Sequence, residues 1–305
     1  MLRRSRAPPD RAARTLVLFK GGCGRALEGI AVDRERILLL ERVEILAKLD
    51  GVTGAPKAAR ELGFVLQQVG GAWAFGRARD PGFDSNRVMG LGLERPVRPE
   101  DLAALKAFYA EHGIPAFRIG LCPAAEPAGL ETTLAAAGFG PHPHLIEWVK
   151  WVRDGSPAKT SATGLGIMRA EPDEAEAMDA MLLAAFGGRP HSVPLASALI
   201  GRPHWHHYMA RDGDTLVASA AMYARDGFAW LGAAGTLTQH RGRGAQGALI
   251  ARRIDDARAL GCHTFTTETA PDLPERPNPS FHNMERAGFR IAYRRLNWVF
   301  PDPGR

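Results

Sequence analysis

The residues best placed to do chemistry lie in one tract: Thr236-Leu237-Thr238-Gln239-His240-Arg241-Gly242-Arg243-Gly244-Ala245-Gln246-Gly247. An apolar run precedes it. A helix-spaced pattern with Leu249, Ile250, Ile254 and Ala257 follows it. A strand that turns into a long helix presents unpaired helical N–H groups, and the positive end of the helix dipole, at the turn. Glycines let an anion approach those amides closely, and Arg241 and Arg243 add full positive charge. The chemistry expected is the holding of one or two phosphates. The GxxxxGK[ST] and GxGxxG spacings are not met, so this is neither a Walker loop nor a dinucleotide fingerprint. Arg-Gly turns also occur in disordered RNA-binding tails, but this one sits between an apolar strand and an amphipathic helix.

Periodicity supplies the elements that must position the tract. In the second half, residues 174–186 read as a helix. Residues 206–211 and 215–223 read as a strand pair joined by Asp212-Gly213-Asp214, a strong hairpin signal. A strand at 228–237 leads into the tract. It is followed by a helix at 242–260, a strand at 264–268, a helix at 280–287 and a strand at 291–300. The first half shows a helix at 37–49, strands at 65–75 and 88–93, a helix at 99–112 closed by Gly113, a strand at 117–121, a helix at 129–137 ending at Gly138, and a strand at 145–152. Residues 155–166, rich in Ser, Pro, Thr and Gly, read as the linker.

The halves match by position. Gly113 and Gly261, like Pro123 and Pro271, stand 148 apart, while Gly138 and Gly288, like Trp148 and Trp298, stand 150 apart. An internal duplication of one α/β unit is expected, with a repeat too long for a solenoid. The first copy lacks the glycine tract. Its place holds Glu94-Arg95-Pro96-Val97-Arg98-Pro99, where two prolines remove N–H donors and Glu94 would repel phosphate. The N-terminal copy is therefore expected to leave phosphate to its neighbour, and to pack against it and wall its cleft.

The chain has 305 residues, 45% of them apolar and 24% charged, which is an ordinary globular balance for two domains. No apolar run is long enough to span a bilayer or to form the core of a signal peptide, so a cytoplasmic protein is expected. Cys23, Cys122 and Cys262 stand far apart, which argues for reduced thiols rather than a disulfide framework or a zinc site. Much of the net charge of +6 lies in a basic leader, residues 1–30, which reads as disordered. His204, His206 and His207 cluster without a carboxylate or cysteine at ligand spacing, and read as a cleft lining or strand edge rather than a metal site.

Two motifs in order carry a resemblance. Arg241-Gly242-Arg243-Gly244-Ala245-Gln246 resembles the cofactor loop of the GNAT acyltransferases, Arg/Gln-x-x-Gly-x-Gly/Ala. Asn278 to Met284, ending in Gly288-Phe289, resembles that family's Asn-rich helix. The resemblance covers about residues 167–300 well and residues 41–152 only as a degenerate copy. It implies an α/β (α+β) fold of two tandem GNAT-like domains, each a mixed, largely antiparallel sheet flanked by helices. The expected divisions are a degenerate domain at 31–154, the linker, and a catalytic domain at 167–305. The implied reaction moves an acetyl or other acyl group from acetyl-CoA to a primary amine, with no metal.

The resemblance also implies roles. Thr236, Leu237, Thr238, Arg241, Gly242, Arg243, Gly244, Ala245, Gln246 and Gly247 would hold the cofactor. Asn278 and Asn283 would bond its pantetheine arm, unless Asn278 only caps a helix and Asn283 is merely solvated. The Leu237 backbone N–H would meet the thioester carbonyl. The family's usual tyrosine acid is replaced by Met284, leaving His282, Asn283 or water. Glu268 is the candidate general base. A carboxylate there would equally suit a loop cap or a partner for an arginine such as Arg294. A non-catalytic acyl-CoA-binding protein is the alternative function. The expected partner is a small-molecule or peptide amine, with Glu268, Asp272 and Glu275 suited to a cation. Nucleic acid and membrane are not expected partners, and a homodimer is permitted.

Overall fold

The computed structural model describes residues 32–80, 82–158, 163–187 and 197–304. The basic leader and Cys23 lie outside the described residues, as do parts of the 155–166 linker and of the 186–204 loop. Asp33 starts the chain's longest described helix by accepting the N–H of Arg36 at 2.7 Å. This helix, α1 (Arg34–Gly54), buries one stripe at helical spacing: Ile37, Leu40, Glu41, Val43, Glu44, Ala47 and Gly51. Two glutamates in an otherwise apolar stripe require buried cations opposite them.

A short α2 (Pro56–Glu61), opened by Pro56, follows α1. The run read as one strand at 65–75 is instead a hairpin. Gly70 and Gly71, both at positive φ, turn the chain between β1 (Phe64–Val69) and β2 (Ala72–Arg77). Next come β3 (Arg87–Met89), α3 (Pro99–Glu111), β4 (Phe117–Leu121), α4 (Leu130–Ala136), the two-residue β5 (Gly140–Pro141) and β6 (Glu147–Asp154). The second series runs β7 (Gly166–Arg169), α5 (Ala175–Ala185), β8 (Trp205–Asp212), β9 (Thr215–Arg225), β10 (Phe228–Thr236), α6 (Ala245–Ala259), β11 (Thr264–Thr269), α7 (Pro279–Arg286) and β12 (Arg290–Phe300).

The result is a mixed α/β fold whose sheet is largely antiparallel and flanked by helices. Among the described residues it is one 12-stranded sheet, ordered β1-β2-β3-β4-β12-β6-β11-β10-β9-β8-β7, with β5 on β12. The two sheets expected from the duplication are joined by an exchange. The last strand of the first series, β6, pairs with β11, and the last strand of the second, β12, pairs with β4. β6 and β12 then pair with each other at the centre. Among the described residues the parallel contacts fall at matching places in the two series, β3 with β4 and β10 with β11.

One side of the β8–β11 region packs under α6 and α7 through Tyr208, Ala220, Ile250, Ile254, Phe265 and Phe281. The opposite side takes α1 and α2, with Val43 and Ala47 against Trp205, Tyr223 and Trp230. A helix of the first series thus covers strands of the second. Cys122 and Cys262 are free and buried, and burial raises both thiols above their usual range.

Candidate active site

At the C-terminal end of β10 the chain makes a short 3-10 turn over Thr238–His240 and enters α6. Gly242 (φ +77) and Gly244 (φ +81) flank Arg243 in left-handed conformations. That alternation turns successive N–H groups toward one side. Gly244 caps α6 without a side-chain bond, so the first-turn amides of Ala245, Gln246 and Gly247 meet the turn directly. Arg243 is not a free cation, because both its terminal nitrogens bond Asp212 of the β8–β9 turn, one of them at 3.0 Å. Arg241 is exposed and has only a 3.4 Å contact to the Thr236 carbonyl.

The equivalent junction in the first series is closed by the protein's own anion. Asp101 accepts the Arg98 N–H at 2.8 Å and pairs with Arg95 at 2.6 Å, capping α3. A phosphate there would meet a carboxylate.

β10 and β11 run parallel through Phe228–Thr264, Ala229–Phe265 and Trp230–Thr266, and no rung follows. Past Trp230 the strands part, although Thr267 Oγ1 still reaches the Leu231 carbonyl at 2.7 Å. Opposite β9 the register slips between Gly232 and Gly235, and Ala233 takes φ +47. This bulge sets Ala233 and Ala234 against one residue of β9 and leaves an extra residue outside the ladder, beside the gap. The sequence signal was the run Gly232-Ala233-Ala234-Gly235, too small in side chain to pack as strand interior; it was missed. α5 packs over this end of β10: a Cβ on Gly235 would stand 3.0 Å from Leu182 Cδ1's sister methyl, Cδ2.

Leu237 is corrected by the geometry. Its N–H donates to the Val217 carbonyl at 3.0 Å, so it is spent on β9 and cannot also meet a thioester.

Glu268 lies on β11 beyond the parting, on the α1 side. It pairs with Arg295 at 3.2 Å, rather than with Arg294, which pairs with Glu147. Arg295 also bonds Glu41 and Glu44, each at 2.8 Å. Lys150 pairs with Glu44 at 2.5 Å, and Tyr293 donates to Glu41 at 2.6 Å. Arg295 and Lys150 are the cations that the α1 glutamates require. Burial opposes charge at Arg295, but Glu41, Glu44 and Glu268 hold its pKa well above the usual value. Burial likewise opposes ionisation of Glu44, and Arg295, Lys150 and Lys48 hold its carboxyl well below the usual range.

The remaining predicted residues are placed as follows. Asn278 caps α7, accepting the Ser280 N–H at 3.0 Å while its amide donates to the Ala270 carbonyl at 2.7 Å. Asn283 donates to Gln246, which donates in turn to Ser280 at 2.8 Å, so this pair ties α7 to the first turn of α6. His282 is held between Asp272 and Glu285, each at 3.1 Å. Met284 is buried in the core beneath α7. His207 is buried beside Trp205, and no His/Cys/Asp/Glu group among the described residues is arranged to hold a metal. No helix among the described residues is long and apolar enough to cross a membrane.

Residues 175–286 match the model of the Acetyltransferase (GNAT) family. No curated protein matches the chain. Among solved structures, a GCN5-related N-acetyltransferase from Kribbella flavida is 18% identical, with a TM-score of 0.61 over 88% of this chain and 96% of that one. Another from Sphaerobacter thermophilus is 14% identical, with a TM-score of 0.56 over 88% and 93%. A tandem GNAT protein from the clavulanic acid biosynthesis pathway is 16% identical, with a TM-score of 0.55 over 88% and 95%. At these identities the likeness is one of fold.

Proposed function

We propose that this chain is an N-acetyltransferase that moves an acetyl group from acetyl-CoA to the primary amine of a second substrate. The observation that carries the reading is the parting of β10 and β11 after Trp230–Thr266, on the strand that ends in the glycine nest and bare α6 N-terminus. A phosphate anchor and a slot between strands, joined by one strand, suit a ligand with a polyanionic end and a linear thioester arm. The family match at residues 175–286 and the fold shared with a tandem GNAT protein support the same reading.

In this reading the chain is two tandem GNAT-like units, residues 31–154 and 167–305, joined through 155–166. The second binds acetyl-CoA. The amides of residues 245–247 and Arg241 take the pyrophosphate. Backbone N–H groups of the Ala233–Ala234 bulge, rather than Leu237, meet the thioester oxygen as it gains negative charge. Glu268 takes the proton that the amine loses as its nitrogen bonds the acyl carbon. The carbon–sulfur bond breaks, and the thiolate takes a proton from water, since Met284 is apolar and His282 is held by two carboxylates. No step needs a metal. Asn278 acts as a cap, and Asn283 acts through Gln246. The protein works in the cytoplasm, on a small-molecule or peptide amine.

Apolar Met284 at the place of the family's usual acid also favours an acyl-CoA-binding protein without catalysis. Turnover separates the two: a chain that binds acetyl-CoA but releases no free thiol with any amine is the binding protein.

A further inference from the structure

Buried cations are normally paired, and buried donors normally find acceptors. On the α1 side of the sheet buried Arg118 breaks the first rule, and half-buried Lys48 and Arg87 stand with it. Among the described residues, no carboxylate lies within ion-pair reach of Lys48, Arg87 or Arg118. Lys48 lies over the Trp230 ring, with Nζ 4.5 Å from its centroid. Arg118 is 7% exposed, bonds only the Asn297 amide oxygen at 3.1 Å, and lies over Trp148 at 5.9 Å. Among the buried donors without an acceptor in the described residues are Arg118 Nε, Trp148 Nε1 and Trp230 Nε1.

The placement follows from the duplication. Arg87 and Arg118 form one rung of the parallel β3–β4 ladder. Thr266 stands 148 residues after Arg118, the offset of the repeat, and its rung partner is Trp230. The first series therefore sets a pair of arginines where the second sets the last rung before the gap. Lys48, on α1, lies over Trp230. Burial, then Arg87, lowers Lys48 to about 8, and burial, then Arg87, lowers Arg118 to about 10. Glu44 and Glu268 act on Lys48, and Glu268 and Asp84 on Arg118, but none closes an ion pair.

We infer that Lys48, Arg87 and Arg118, with the indole N–H groups of Trp148 and Trp230, form an oxyanion subsite for the acceptor, so that the acceptor is an amine carrying a carboxylate or phosphate group. The subsite is built mainly by the first series, beside the second series' gap. The acceptor's amine faces Glu268 and its anionic group faces the cations. The inference rests on the acetyltransferase reading for the amine, and on the placement of these side chains for the anion.

Two arms test it. In the first, acetyl-CoA turnover is measured with matched amines: an α-amino acid against its carboxamide, and a phosphorylated amino alcohol against its parent. The pair that discriminates identifies the source of the oxyanion. The expected result is a preference for the anionic member, and in Lys48→Met/Arg87→Gln a rise in its KM of roughly tenfold to a hundredfold, with acetyl-CoA affinity unchanged. Equal use of both members by the wild type would overturn the inference. In the second arm, melting temperature is followed against inorganic sulfate without acetyl-CoA, so a failure of the acetyltransferase reading leaves it decisive. Sulfate should stabilise the wild type and Arg241→Glu more than Lys48→Met/Arg87→Gln. An equal rise in all three would sink the subsite.

Discussion

The indole of Trp230 lies across Gly232: a Cβ built on Gly232 would stand 1.9 Å from Trp230 Cη2 and 2.3 Å from Cζ3. Glycine two residues along the same strand face lets the ring lie flat beside the parting of β10 and β11. Gly232→Ala must push the ring off its seat, at a cost of about 1–3 kcal/mol. In a Trp230→Ala background the same change should cost little, because the atoms it meets are gone. Urea denaturation of the four proteins gives the coupling, and additive costs would contradict the packing described.

Lys150 is 1% exposed and is bonded to fully buried Glu44. Lys150→Met leaves that carboxylate with Arg295 alone, shared with Glu41 and Glu268, and should destabilise the fold by about 3–5 kcal/mol. Lys57→Met, on an exposed pair with Glu61, should change stability by less than about 1 kcal/mol. Comparable losses from the two would mean that the central seam contributes no more than surface charge.

Lys48 gives a pH signature. Its folded pKa is lowered from the ordinary 10.5 to about 8, by burial and then by Arg87, with Lys150 adding and Glu44 and Glu268 opposing. Below about pH 8 it is charged in both states, and the folded state bears the full penalty. Between 8 and 10.5 the folded protein sheds the proton first and the penalty fades. Above 10.5 it is neutral in both. Lys48→Met should therefore raise the melting temperature most at pH 7, with the gain shrinking toward pH 10.5. A gain independent of pH would contradict the assignment.

Glu268→Gln keeps shape and removes the proposed base. It should lower kcat by roughly 10²–10⁴ while leaving the dissociation constant for acetyl-CoA unchanged. A variant of normal stability and undiminished kcat would return Glu268 to the role of a partner for Arg295.

Local pattern made much of this legible. The strand, glycine turn and helix at 236–259 could be read because such a turn is local and glycine spacing encodes it. The repeat offsets carried the expectation of matching elements. What pattern could not show is long-range. The exchange of β6 and β12 depends on pairings between strands well over a hundred residues apart, which no window contains. The apolar spacing of α1 does not show that Glu41 and Glu44 share its buried stripe, because the partners that permit it, Lys150 and Arg295, lie more than a hundred residues away. The Leu237 amide appeared available because its partner, Val217, lies on another strand. The β1–β2 hairpin was legible and missed, since Gly70-Gly71 between two β-rich runs is a turn signal in its own right.

The central claim is that the α6 N-terminus anchors acetyl-CoA. Calorimetric titration of acetyl-CoA into the wild type and into Arg241→Glu/Gly247→Glu tests it most directly. Gly244 is spared, because a side chain at its φ of +81 would strain the turn and confuse the outcome. The account predicts one site per wild-type chain and none in a variant whose circular dichroism is unchanged. No heat from a folded wild type, or equal binding by the variant, would contradict it.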